Sequence, residues 1–291
     1  VEVPWLSGYE GSRPVRIGNA ASEQLQLDVY GELVDCFHQA RVRGVDFAPD
    51  IWELELELIE HLEKIWTQPD RGMWEVRGAP QHFTFSKIMV WVAFDRMIKD
   101  ADACGLPGPV ARWKQVRALI HDDVCSNGFD ADRGTFTQAY GQSGLDASLL
   151  LIAQVGFLPA SDRRVVGTVA AIRSELVHDG LVHRYDTSIA DDGLPPGEGA
   201  FLPCSFWLAD AMELQGDGDA ARAYFERLLG ICNDLGLLAE QLDPSTHRLV
   251  GNFPQAFSHV ALVRTAIRLG TAASPSRDEQ PSFNRSERRS S

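Results

Sequence analysis

The sequence has 291 residues and a net charge of −14, and 44% of its residues are hydrophobic and 23% charged. This length is enough to bury a sizeable core, and the composition is typical of a globular protein. The acidic balance argues against non-specific nucleic-acid binding, which needs a basic surface, and it suits a neutral ligand better than a polyanion.

Other compositional features bear on the compartment. No apolar run approaches the length of a membrane span and no secretory signal is recognisable, so we expect no membrane partner. The five cysteines are odd in number and scattered, which predicts reduced thiols in a cytoplasmic protein. The chain opens at Val1 without a methionine, which predicts a processed product or a fragment. Whether the protein is a homo-oligomer is left open.

Nine segments show helical periodicity, and no period-two strand pattern of useful length occurs, so the predicted fold class is all-α. In chain order the segments lie at about 23–40, 50–66, 84–99, 110–120, from 149 onward, 165–176, 200–209, 220–229 and 257–269. Residues 1–21 precede them as an extended entry segment. The tail 271–291 is rich in Ser, Arg and Pro and is predicted to be disordered.

These segments alternate between two kinds of helix. The 84–99 segment is apolar all round through Ile88–Phe94, which predicts burial on every side, whereas the 50–66 segment has one apolar stripe. Alternation of this kind predicts inner helices wrapped by outer ones in a single domain, residues 1–270. Five inner and four outer helices do not close a symmetric ring, so either three helices precede Val1 or the ring is open.

The connections also fall into two kinds. Links from an inner to an outer helix are mostly short, whereas links from an outer to an inner helix are long. The long links lie at about 67–83, 123–143, 178–199 and 233–252. If successive helices are antiparallel, all four long links lie at one end of the assembly, here called the rim. Because long loops in compact domains are usually functional, the rim is the predicted active-site face.

The first long link places a carboxylate, Glu75, directly after the indole of Trp74 and two residues before Arg77. An apolar ring beside a carboxyl group can raise its pKa by desolvation, as a general acid near neutral pH requires. The bland alternative is a solvated loop glutamate, because a Trp-Glu dipeptide also occurs at Trp52–Glu53 within a helical pattern.

The fourth long link supplies a second carboxylate, Glu240, after an apolar run. Two carboxylates in different settings on one rim are what acid/base hydrolysis of a glycoside needs. The third link offers Arg184 and Glu198, which could hold sugar hydroxyls by bidentate hydrogen bonds. We predict neither a metal nor an organic cofactor, because His247 and His259 lack metal-ligand spacing and no phosphate loop or dinucleotide fingerprint is present.

Several segments together resemble family 15 of the glycoside hydrolases, the glucoamylases and related bacterial trehalases. The resemblance extends from about Gly8 to Leu269. The segments that carry it are Ile17–Ala21, Leu27–Glu32, Gly72–Gly78, Gly197–Phe201, Leu238–Gln241 and Gly251–His259.

This resemblance implies an (α/α)6 toroid, here with about nine of its twelve helices, and inverting hydrolysis at a non-reducing α-glucosyl end. It implies that Glu75 is the general acid and Glu240 the general base. Trp74 matches a residue that lines the first glucose subsite, and Arg184 one that binds glucose hydroxyls there. Asp28, Tyr30 and Arg77 lie in matching segments and are predicted to contact substrate.

Two departures from the family pattern leave alternatives open. The family's Trp-x-Arg-Asp motif, which clamps the terminal glucose, and its N-terminal β-rich domain are absent from the sequence, and both would precede Val1. The predicted activity is glucoamylase-type release of glucose from maltooligosaccharides, with trehalose hydrolysis as the alternative. A non-catalytic toroid that binds a glycan or another chain is the alternative from another class.

Overall fold

The computed structural model describes residues 1–45, 49–186 and 199–272. Eight α-helices form the frame of this part of the chain. They are α1 (Asp28–Val42), α2 (Pro49–Ile65), α3 (Thr84–Cys104), α4 (Val110–Asn127), α5 (Arg163–Glu175), α6 (Leu202–Leu214), α7 (Gly218–Leu229) and α8 (Ala256–Ala272). Three 3-10 helices, at Tyr9–Gly11, Ala20–Glu23 and Ala147–Leu151, lie between or before them.

Within the described residues, strands occur only as pieces of two or three residues in the connections. They are β1 (Phe129–Asp130), β2 (Thr135–Phe136), β3 (Val177–His178), β4 (Leu181–Val182), β5 (Ala200–Phe201), β6 (Gln241–Asp243) and β7 (Arg248–Val250). β1 pairs with β2, β3 pairs with β4, and β5, β6 and β7 form an antiparallel sheet in that order. The prediction of an all-α fold is confirmed, since the described strands only connect loops.

The predicted difference between inner and outer helices is visible in their burial. α3 is buried on every side from Thr84 to Ile98, and α6 is buried from Leu202 to Met212. α4, α5 and α7 each bury one stripe. α3 packs against α1 and α4, and α6 packs against α7 and α8, so the fully buried helices lie inside the one-faced ones.

The contact between α1 and α3 depends on one small residue. A Cβ atom added at Gly31 in α1 would lie 2.1 Å from the carbonyl oxygen of Met89 in α3. Any side chain at this position would therefore overlap the backbone of α3. The absence of one lets α1 and α3 lie in contact.

Two expectations about the inner layer differ from the structure. The apolar run from Leu149 forms only the 3-10 helix Ala147–Leu151, followed by turns up to Gly156, whose φ of 79° ends any helical path. The described residues therefore contain eight α-helices where nine were predicted. α8 was predicted to be buried all round, but Val260, Val263 and Ile267 are exposed on one side of it.

The tail prediction and the predicted contact of Glu198 lie outside the described residues, apart from Thr271 and Ala272 at the end of α8. Within the described ranges, no helix combines the length and apolarity needed to cross a bilayer.

Candidate active site

Four long connections precede α3, the 3-10 helix at Ala147, α6 and α8, and we call them the first to fourth rim loops. They comprise residues 66–83, 128–146, 176–201 and 230–255. The first and second loops meet in a bridge between Phe83 and Ala139. The amide of Ala147, where the second loop ends, donates to the carbonyl of Arg184 in the third loop, at 2.7 Å. β5 of the third loop pairs with β6 of the fourth. The described parts of the four loops therefore lie at one end of the molecule.

Glu75 lies at an unusual backbone position in the first rim loop. Its φ is 55°, in the left-handed region that few non-glycine residues adopt, and its side chain is exposed. The turn is closed by its amide, which donates to the carbonyl of Gly72 at 3.2 Å. Backbone strain of this kind occurs most often at functional sites, where the surrounding structure holds it in place.

The carboxyl group of Glu75 is held by a distant residue. Asn19 Nδ2 donates to Glu75 Oε2 at 2.9 Å, and Gln24 Nε2 donates to the Glu75 carbonyl at 3.4 Å. The indole of Trp74 points elsewhere, to Asp146. The expected burial of Glu75 against that ring is therefore not found.

Trp74 is fixed on its edge and surrounded by other rings. Its Nε1 donates to both carboxylate oxygens of Asp146, at 3.0 and 2.9 Å. Its ring centroid lies 5.5 Å from that of Phe201 and 6.1 Å from that of Trp207. The guanidinium carbon of Arg184 lies 5.4 Å from the Trp74 ring, which places the two predicted sugar-binding residues side by side.

Asp146 holds this arrangement and was missed by the sequence analysis. It is 3% exposed, and besides Trp74 it accepts from Gln138 Nε2 at 3.1 Å and from the Ser148 amide at 2.8 Å. Burial raises the pKa of the Asp146 carboxyl, and these hydrogen bonds partly offset that rise. An Asp before an apolar run is a typical helix N-cap, so the sequence does indicate its capping role but not its partner Trp74.

Glu240 is half-buried in the fourth rim loop, immediately before β6. Its Oε2 accepts from the amide of Asn252 at 3.1 Å and from Asn252 Nδ2 at 2.8 Å. Gly251 has φ 80°, and a Cβ added there would lie 3.0 Å from Glu240 Cβ. Only glycine fits beside this carboxylate without a clash or backbone strain.

A short path of contacts connects the two carboxylates. Trp74, next to Glu75, contacts the ring of Phe201, and the following amide, that of Leu202, donates to the Glu240 carbonyl at 3.1 Å. The structure therefore brings Glu75 and Glu240 to the same rim.

Asp28 is buried beneath this rim at the first residue of α1. Burial raises its pKa to about 7, and the charges of Glu32, Asp70 and Glu75 add to the rise. Asp28 Oδ1 has no hydrogen-bond partner among the described residues. The amide of the preceding residue, Leu27, donates to Asp70 of the first rim loop at 3.0 Å, so Asp28 lies beneath that loop.

The remaining predicted contacts are placed differently. Tyr30 is half-buried, and its ring lies 5.9 Å from that of His61 in α2. Arg77 is exposed on the first rim loop, and Glu198 lies outside the described residues. A substrate contact of each stays a prediction, and so does the expectation that no metal or cofactor is needed.

The chain matches the model of Glycosyl hydrolases family 15 over residues 1–267. It belongs to this family. Among its curated relatives in the family are trehalases of Mycobacterium tuberculosis strain H37Rv, 45% identical over 92% of this chain, and of Mycolicibacterium smegmatis, 46% identical over 92%. The chain covers 39% and 40% of these two relatives, so it spans less than half of their length.

The (α/α)6 toroid fold predicted from the resemblance is confirmed by solved structures. A family 15 glucoamylase from Hypocrea jecorina superposes with a TM-score of 0.58 at 13% identity, covering 76% of this chain and 47% of that chain. A glycosidase solved in complex with glucose superposes with a TM-score of 0.74 at 22% identity. The match covers 88% of this chain and 70% of the glycosidase chain.

Proposed function

We propose that this chain carries the acid/base pair of an inverting α-glucoside hydrolase that acts on α,α-trehalose. The observation that carries the proposal is its 45–46% identity, over 92% of its length, to family 15 relatives named trehalase. The arrangement of two carboxylates on one rim supports it, because glycoside hydrolysis uses such a pair.

The first glucose would lie against the Trp74 indole, with Arg184 beside it. A rigid ring suits the apolar face of a sugar, and the Asp146 contacts leave the indole little freedom to turn. The guanidinium of Arg184 offers several donors to hydroxyl groups of a neutral sugar.

In the reaction, the Glu75 carboxyl group gives its proton to the oxygen that joins the two glucose units. The bond from that oxygen to one anomeric carbon breaks, and a water attacks this carbon from the opposite face. Glu240 takes a proton from the water. The attacked ring leaves as β-glucose and the other leaves as α-glucose, since only one anomeric carbon is inverted.

The environment of Glu240 suits a base. Both hydrogen bonds that Asn252 makes to it reach Oε2, which leaves Oε1 to accept from a water. An inverting pair needs room for that water, which corresponds to a carboxylate separation of about 6.5–9.5 Å.

Glucoamylase-type hydrolysis of maltooligosaccharides is the second candidate. It shares the first glucose site, so Trp74, Arg184 and both carboxylates suit it equally. The named relatives favour trehalose, because those relatives are trehalases.

The test compares Glu75→Gln and Glu240→Gln with the parent on trehalose and on maltotriose, with glucose release as the readout. Each variant is expected to lower kcat by about 10²- to 10⁴-fold, the usual contribution of a general acid or base. Glu53→Gln is the matched control, because Glu53 also follows a tryptophan but is exposed on α2, and we expect it to keep full activity.

The outcome separates the candidates. Release of glucose from trehalose supports the proposal if NMR spectra taken before mutarotation show β-glucose and α-glucose in equal amounts. Release from maltotriose alone selects the second candidate. Release from neither substrate rejects enzymatic activity of this chain and leaves the non-catalytic toroid.

The predicted cytoplasmic location is supported by the thiols, because all five cysteines are free.

A further inference from the structure

The N-terminal segment, residues 1–24, lies across the rim. The ring of Tyr9 stacks on that of Phe253 in the fourth rim loop, with centroids 4.4 Å apart, and Glu10 pairs with Arg248. At its other end the segment reaches the first rim loop through Asn19. One segment thus contacts both loops that carry the predicted catalytic carboxylates.

The side-chain amide of Asn19 can take only one orientation. Its Oδ1 accepts from the amide of Ala21 at 3.0 Å, which caps the 3-10 helix Ala20–Glu23. An amide N–H can only donate, so Oδ1 must face it, and Nδ2 must then face Glu75. Glu75 Oε2 is therefore always the acceptor of this hydrogen bond.

We propose that Asn19 is a positioning residue for the general acid and fixes the transferable proton on Glu75 Oε1. In a carboxylic acid the carbonyl oxygen accepts hydrogen bonds better than the hydroxyl oxygen. Because Asn19 Nδ2 occupies Oε2, the carbonyl oxygen is Oε2 and the proton lies on Oε1. This role rests on the proposed function of Glu75.

The proton balance of this step is simple. The Oε1–H bond of Glu75 breaks, and a new O–H bond forms on the oxygen of the leaving glucose. The Asn19 N–H keeps its proton throughout and donates more strongly to the resulting carboxylate, because hydrogen bonds to charged groups are the stronger ones. Asn19 therefore favours the transition state as well as the orientation of the acid.

Two substitutions separate positioning from capping. Asn19→Asp keeps an oxygen that can accept from the Ala21 amide, since Asp caps as well as Asn, but it removes the donor to Glu75. Asn19→Ala removes both. If Asn19 positions the acid, both variants lower kcat on trehalose by about tenfold or more while KM changes little. If Asn19 only caps, Asn19→Asp keeps the parental kcat.

A matched control shows whether any new carboxylate pair has the same effect. Asn127 Nδ2 also donates to a carboxylate oxygen, that of Asp123, at 2.9 Å, at the end of α4. Asn127→Asp creates the same kind of repulsion away from Glu75. We expect it to keep the parental kcat.

A second measurement needs no activity. In ¹H–¹⁵N spectra of the full chain, Glu75→Ala should move the Asn19 side-chain amide proton upfield, whereas Glu53→Ala should leave it unchanged. The positioning role is overturned if the Asn19 amide signal does not move in Glu75→Ala. It is also overturned if the parent is active and the Asn19→Asp variant keeps the parental kcat. A parent that releases no glucose rejects the proposed function instead, and the amide signal still decides the contact.

Discussion

At the scale of single residues, the candidate site depends on polar groups that support the predicted ones. Trp74 is held by Asp146, 72 residues further along the chain, and Glu75 by Asn19, 56 residues before it. Local motifs indicate Glu75, Trp74 and Glu240 because the chemistry needs those residue types. They do not indicate the contact of Asp146 with Trp74 or the orientation of Asn19, because contacts over such separations depend on how the helices pack.

The Asp146–Trp74 contact gives a residue-scale prediction. Asp146→Ala leaves the half-buried Trp74 N–H without its acceptor, at a cost of about 1–3 kcal/mol, and also removes the cap of the 3-10 helix. We expect urea unfolding to show this loss and KM for trehalose to rise, since the indole is no longer oriented.

Asp162→Ala is the control for this prediction. Asp162 caps α5 by accepting from the Arg164 amide at 2.9 Å, so its loss should cost about 0.5–2 kcal/mol. It lies outside the rim loops, and KM should not change. Equal effects of the two variants on KM would show that Asp146 acts only as a cap.

At the scale of elements, helix periodicity predicts most of the frame, and its failures have local causes. The alternation of all-round and one-sided apolar patterns gives α3 and α6 as buried helices, as the structure has them. The prediction of an α-helix from Leu149 onward is wrong, because a short apolar run indicates burial but not the number of helical turns. The close approach of α1 and α3 at Gly31 could also not be predicted from the sequence, since glycine contributes nothing to hydrophobic periodicity.

Gly31 gives the element-scale prediction. Gly31→Ala puts a methyl group into the backbone of α3, so α1 must shift, and overpacking of this kind costs about 1–3 kcal/mol or more. Gly270→Ala is the matched control, because Gly270 is also helical but has nothing within 4 Å of an added Cβ. That change should stabilise the protein by about 0.4–1 kcal/mol, as the unfolded chain loses freedom. Urea unfolding of both variants, with equal m-values, measures the contrast; a neutral Gly31→Ala would contradict the close contact.

At the scale of the whole molecule, the entry segment and the end of α1 lie near the last part of the described chain. Tyr9 of the entry segment stacks on Phe253 just before α8, and Arg43 at the end of α1 lines one groove with Val260, Val263 and Ile267 of α8. The end of the first helix and one face of the last helix therefore border the same groove. Sequence periodicity predicts the two layers of helices, but the position of α8 beside the end of α1 follows only from the packing of all the helices.

The whole molecule is also acidic, and several of its carboxyl groups are buried. Asp28 is the one whose pKa is raised to about 7, mainly by burial and then by neighbouring carboxylates. Such a group keeps a proton in the folded state that the unfolded chain releases near its ordinary pKa of about 4. Its contribution to stability is therefore greatest below pH 4, falls as the pH rises from about 4 to about 7, and is level above that.

Asp28→Asn should remove this pH dependence, because the amide is uncharged and nearly isosteric with the protonated carboxyl group. The variant should match the parent near pH 4 and exceed its free energy of unfolding by up to about 4 kcal/mol at pH 8, as measured by urea unfolding across that range.

Asp243→Asn is the control of opposite sign. Hydrogen bonds from Thr246 and Ser245 lower the pKa of Asp243 to about 2, so its ionised form stabilises the fold above pH 4. Losing that carboxylate should lower the free energy of unfolding at pH 8. An Asp28→Asn variant that tracks the parent at every pH would mean that water reaches Asp28, and the close packing beneath the rim would then be wrong.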